Sequence, residues 1–146
     1  AAGRRARVNT RVVPHVVFVD PEVARVGLTD AEARARHRDV RIVSLPMSRV
    51  DRARTSGHTR GFIKLVIVGR PILGQAGGGR LVSAEVVGRS AGELIHELAL
   101  AIHTRMFAGR LAQLLHAYPT ASTGLQQAAS QLFPLGRALV ETGGGE

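Results

Sequence analysis

The chain has 146 residues, 45% of them hydrophobic, and a mean hydropathy of +0.06, so it can fold as one domain burying about two-thirds of the surface its unfolded form exposes. Cysteine is absent, which excludes a disulfide staple or a redox thiol within the chain, and no apolar run has the length of a membrane span. The formal charge of +9 permits attraction to nucleic acid, yet the arginines are dispersed and four Phe, one Tyr and no Trp offer few platforms for base stacking.

No apolar core follows the first arginines, so a signal peptide is not indicated and a cytoplasmic location is the default expectation. Residues 1–13 are Arg-rich without a sustained period and read as an arm or linker. Order is expected from residue 14. Val16 to Val19 and Glu22 to Gly27 read as two extended pieces joined at the Asp20-Pro21 turn. Thr29-Asp30-Ala31-Glu32 matches a capping box, with Thr at the cap and Glu reaching back to it, and predicts a short helix to about Arg38.

Val40 to Leu45 predicts a strand stopped by Pro46, and 47–58, with Arg49, Arg52 and Arg54 around Asp51, reads as a solvated loop or broken helical turn. Arg60 to Val68 predicts a central strand, because Ile63, Leu65 and Ile67 alternate with Phe62, Lys64, Val66 and Val68 and both faces are mostly apolar. The glycine-rich stretch 69–79 fits no phosphate-cradling motif and reads as a hairpin connection to an antiparallel strand over Leu81 to Val87.

Ser90-Ala91-Gly92-Glu93 matches a second capping box, ahead of a long helix carrying Leu94, Ile95, Leu98, Ile102 and Met106 on one stripe and stopping near Gly109. Arg110 to Leu115 predicts a short helix or turn. The Tyr118-Pro119 step then makes a corner, with Thr120 expected to cap a last helix that carries Leu125, Ala128, Ala129, Leu132 and Phe133 and ends at Pro134 and Gly136. The tail from residue 137 reads as disordered. Strands first and helices in a block predict an α+β fold, an antiparallel sheet with its helices segregated in a layer.

Val17-Phe18-Val19-Asp20-Pro21-Glu22-Val23-Ala24-Arg25-Val26-Gly27-Leu28-Thr29, Gly61-Phe62-Ile63-Lys64-Leu65-Val66, Gly88-Arg89-Ser90-Ala91-Gly92-Glu93-Leu94-Ile95 and Tyr118-Pro119-Thr120 together resemble the C-terminal dimerisation domain of the pyridine nucleotide-disulfide oxidoreductases. That family includes glutathione reductase, dihydrolipoamide dehydrogenase and mercuric reductase. The resemblance implies a domain over 14–136 that pairs two subunits of an FAD-dependent, NAD(P)H-consuming enzyme, with the FAD and NAD(P) domains and the redox cysteine pair upstream. No cofactor is expected in this chain itself, and a C-terminal piece of this kind would not catalyse the family's reaction alone.

The resemblance also implies a site. In the family the corner carries His, Pro and Thr, then Glu three residues on; the His serves the thiol pair of the other subunit near its flavin, and the Glu orients the His. Here Tyr118, Pro119, Thr120 and Thr123 occupy those positions, so both catalytic side chains are replaced, a departure that mercuric reductases resemble. A phenol with an ordinary pKa of about 10 cannot shuttle protons at neutral pH as an imidazole of about 6.5 can. Tyr118 can still donate a hydrogen bond, whereas the plain readings are a packed tyrosine, a capping Thr120 and an ordinary helical Thr123. His116 lies two residues before the family's His position and is not taken as the base. His96 and His103, seven residues apart without a carboxylate at ligand spacing, read as solvated or interface residues rather than metal ligands. The competing expectation is an independent basic module whose affinity for nucleic acid falls steeply with salt.

Overall fold

The computed structural model describes residues 12–69, 74 and 76–133. The Arg-rich arm before Val12, part of the glycine-rich connection and the tail lie outside them, whereas the last helix, expected to run to Pro134, ends at Ser130 within them, so Leu132 and Phe133 follow it in a turn. Five strands, β1 (His15–Val17), β2 (Glu22–Gly27), β3 (Val40–Pro46), β4 (Phe62–Val68) and β5 (Arg80–Gly88), form one antiparallel sheet in the order β1-β2-β5-β4-β3. The helices are α1 (Asp30–Arg36), α2 (Asp51–Thr55), α3 (Ala91–His103), α4 (Ala108–Gln113) and α5 (Thr123–Ser130). This is the α+β architecture expected from the order of elements.

Strand β4 shows why. Alternation sends Ile63, Leu65 and Ile67 into the main core, where they are fully buried with Leu81, Ile95, Leu98, Leu111 and Leu125. Helix α3 packs on β2 and β5, α5 packs on β3 and β4, and α4 packs against α5. On the other side of β4, Val66 and Val68 are also buried. Lys64 shares that side and reaches Glu85, its cross-strand partner, at 2.7 Å and Asp30 of α1 at 3.2 Å. Burial alone would lower the Lys64 pKa, but the hydrogen bonds and charges of Glu85 and Asp30 outweigh it and raise the ammonium above its ordinary value.

The first capping box is present: the Thr29 hydroxyl accepts from the Glu32 N–H, and the Glu32 carboxylate accepts from the Thr29 N–H at 2.8 Å. The second is not. Ser90 sits at φ 60° and makes no side-chain cap, because a capping side chain needs its residue in the extended region. The Glu22 carboxylate on β2 takes over instead, accepting from the Gly92 N–H at 2.9 Å across 70 residues of sequence. A carboxylate there also meets the positive end of the helix dipole. Glu22→Ala is expected to cost about 1–2 kcal/mol, read as a lower midpoint in a denaturant melt with the slope unchanged.

Two further boundaries differ from expectation. Helix α3 ends at His103, short of Met106 and Gly109: the Met106 N–H returns to the Ala101 carbonyl, with Arg105 at φ 55° in the position glycine usually takes. Gly109 lies buried inside α4. Helix α5 begins at Thr123, not at Thr120, whose hydroxyl donates to the Ala117 carbonyl at 2.7 Å and caps nothing. Residues 47–55 are more regular than a loop: a 3-10 turn over Met47–Arg49 leads into α2, and Met47, Val50 and Ala53 are buried.

Candidate functional site

The site is the connection between α4 and α5, residues 114–122, together with the start of α2. The corner is held by its own backbone. Thr120 donates to Ala117, and Thr123, 8% exposed, donates to the Thr120 carbonyl at 2.6 Å, so its hydroxyl is spent inside the fold. Gly124 follows, where a Cβ would stand 2.7 Å from Ile63 Cδ1 and 2.8 Å from Val50 Cγ2. That close approach seats α5 directly against β4 and the residue preceding α2.

Tyr118, joined to Pro119 through a cis peptide, is 72% exposed. Its hydroxyl donates to Asp51 Oδ2 at 2.9 Å. The hydrogen bond and then the charge of Asp51 raise the phenol pKa above its ordinary value. Asp51 is the first residue of α2, and its other oxygen lies 3.7 Å from the Arg54 guanidinium. The structure therefore brings Tyr118 and Asp51 together, while the Thr123 hydroxyl is bonded to the Thr120 carbonyl instead.

His116 is anchored as well. Its Nδ1 lies 3.1 Å from the Leu114 carbonyl and its Nε2 2.9 Å from Glu97 Oε1 on α3, with only 9% of the side chain exposed. The ring thus ties the chain after α4 to α3. Around this contact the surface is apolar: Leu114 is 47% exposed, Leu115 94%, and Leu100, one turn beyond Glu97 on α3, 61%. Glu93, His96, Leu100 and His103 make the outward stripe of α3. A second exposed apolar group, Val17, Phe18 and Val19, lies at the end of β1. Among the described residues no group of three His, Asp or Glu side chains is arranged to hold a metal ion, and no helix is long and apolar enough to cross a membrane.

An antiparallel sheet flanked by an amphipathic α3 and a Tyr-Pro corner fits one family model: residues 13–129 match the pyridine nucleotide-disulphide oxidoreductase dimerisation domain. The chain belongs to this family. A mercuric reductase of Acidithiobacillus ferrooxidans is 41% identical over 138 residues, covering 88% of this chain and 24% of that protein. A dihydrolipoyl dehydrogenase of Halobacterium salinarum is 36% identical over 128 residues, covering 88% of this chain and 26% of that protein. Among solved structures, the HOCl-induced flavoprotein disulfide reductase RclA of Escherichia coli superposes with a TM-score of 0.77 at 26% identity, over 88% of this chain and 28% of that one. The chain thus spans about a quarter of the length of the relatives it matches.

Within this dimerisation domain, Asp51 is the residue that sequence reasoning missed. It stood in a basic loop as one acid among arginines, and nothing local ties it to a tyrosine 67 positions away. The signal that was present is an acid opening a helical turn after a buried Val50, which fixes where the carboxylate leaves the core.

Proposed function

We propose that this chain is the homodimerisation domain, over residues 14–136, of an FAD-dependent NAD(P)H oxidoreductase, and that it brings the Tyr118-Pro119-Thr120 corner beside the flavin of the partner subunit. The observation that carries this reading is the exposed apolar set Leu100, Leu114 and Leu115, which flank the His116–Glu97 contact in sequence. Exposed apolar groups clustered in this way mark surfaces that a partner covers. The names of the relatives, reductases and dehydrogenases, support the class of reaction.

Of the residues present, Tyr118 and Pro119 suit the edge of a flavin, because together they offer exposed, rigid, partly apolar surface. FAD and NAD(P)H are read as held by upstream domains of the parent protein, as membership of this family implies. FAD, when bound there, carries electrons from NAD(P)H to the acceptor. The domain's own part is to bury subunit surface, to exclude water at the corner and to aim the phenol.

Sedimentation equilibrium over a wide concentration range tests the pairing. A dimer whose association changes little with salt is expected, since the contact is apolar. A chain that stays monomeric and binds RNA or DNA only at low salt would overturn the proposal in favour of a basic module.

A further inference from the structure

We infer that Asp51 is a positioning residue for Tyr118 and makes the corner select ligands that donate hydrogen bonds. This rests on the reading that the corner meets the reacting centre. A phenol has one proton and two lone pairs. In this structure the proton is directed inward, from Tyr118 Oη to Asp51 Oδ2 at 2.9 Å. The lone pairs of the 72%-exposed tyrosine are then what faces outward. A thiol, a hydroxyl or an ammonium group meets an acceptor there, whereas an anion meets two oxygens and a carboxylate charge.

Three features make the pair a built arrangement. Asp51 opens α2 between the buried Val50, which precedes the helix, and the buried Ala53 within it, so the carboxylate leaves a fixed point of the core. Tyr118 leaves the other side of the same junction, where Gly124 lets α5 approach Val50. The other oxygen of Asp51 faces the Arg54 guanidinium at 3.7 Å, a second contact that holds the carboxylate at the start of α2. Thr123 cannot do the same work, because its hydroxyl is committed to the Thr120 carbonyl. The raised phenol pKa agrees with this arrangement, since a neutral phenol is the form that donates.

The chain supplies its own reporter: Tyr118 is the only tyrosine and tryptophan is absent, so tyrosinate absorbance follows this one group. The wild-type phenol is expected to ionise above the ordinary value of about 10, Asp51→Asn to bring the midpoint down toward it, and Asp51→Glu to keep it raised. Circular dichroism on each variant shows that the fold is kept. Equal midpoints in wild type and Asp51→Asn overturn the inference.

A second arm uses the complete oxidoreductase. Asp51→Asn and Tyr118→Phe are each expected to lower kcat/KM by about tenfold, the worth of one charge-assisted hydrogen bond, and the double variant no further. Additive losses overturn the positioning role. A shifted titration with unchanged turnover overturns the placement of the corner at the reacting centre and the ligand selection with it, whereas lost turnover without a shifted titration overturns Asp51 alone. The two readings therefore fail separately.

Discussion

Gly61→Ala is expected to destabilise the domain by about 3 kcal/mol or more, lowering the thermal midpoint by roughly 10 °C. Two costs combine. Gly61 has φ 109°, a conformation that side chains rarely adopt, and a Cβ built there would overlap the carbonyl oxygen of Val87 on the neighbouring strand. That oxygen belongs to backbone held in the sheet between β2 and β4, so it cannot swing aside as a side-chain tip could. Gly57→Ala is the matching control. It has φ 74° with no atom within 4 Å of a Cβ, so it should show only the conformational cost of about 1 kcal/mol. Equal losses in the two variants would show that the clash contributes nothing.

The effect should reach the site. The Gly61 carbonyl accepts from the Met47 N–H at 3.0 Å, and this bond seats the turn that leads into α2 and Asp51. A shift at Gly61 therefore moves the carboxylate away from Tyr118. In the Gly61→Ala protein that remains folded, the phenol should ionise closer to its ordinary value, although neither Tyr118 nor Asp51 has been changed.

These long-range ties explain what was legible in the sequence and what was not. The α1 capping box is a contract among four adjacent residues, and the period of β4 is written in every second side chain; both forms of information are local and both elements are where the pattern puts them. The antiparallel pairing of β4 with β5 also follows, because a glycine-rich connection lets consecutive strands turn back on each other. The Ser90 box fails because its backbone lies in the left-handed region, and the cap comes from Glu22, which no spacing rule links to Gly92. Helix α3 stops before its apolar stripe runs out because the start of β5 takes up the chain just beyond it: the Leu81 N–H donates to the Met106 carbonyl at 3.3 Å.

The site divides along the same line. The corner was visible, because Tyr-Pro-Thr is a contiguous signal and the resemblance fixed its place. Its chemistry was not. The family pattern makes position 123 a replaced carboxylate, and the structure shows a buried hydroxyl with its donor already used. The carboxylate that reaches the phenol comes from α2, which sequence period does not reveal because a five-residue helix spans too few turns to show one.

Leu115→Asp is expected to leave the fold within about 0.5 kcal/mol of wild type while raising the dimer dissociation constant by about 30-fold or more. The first half follows from exposure: at 94% exposed, the side chain gives the isolated domain almost nothing to lose. The second follows from the dimer reading. Burying Leu115 against a second copy removes apolar surface from water, and a carboxylate in its place would have to be desolvated without a partner. A loss of about 2 kcal/mol is the usual scale for a central interface residue and corresponds to that change in affinity. Leu100→Asp on α3 should behave alike if the two leucines share one buried surface. Arg34→Asp serves as the comparison, because it lowers the net charge further but sits on α1, whose Asp30 pairs with Lys64, while α3 packs into the main core with Ile63, Leu65 and Ile67. Sedimentation equilibrium separates the outcomes. Weakening by Leu115→Asp and Leu100→Asp but not by Arg34→Asp places the subunit contact on the face that carries His116 and Tyr118, whereas equal weakening by all three would make the association a matter of charge. A Leu115→Asp chain that pairs as tightly as wild type would remove the corner from the interface, and with it the route by which Tyr118 could reach the flavin of another subunit.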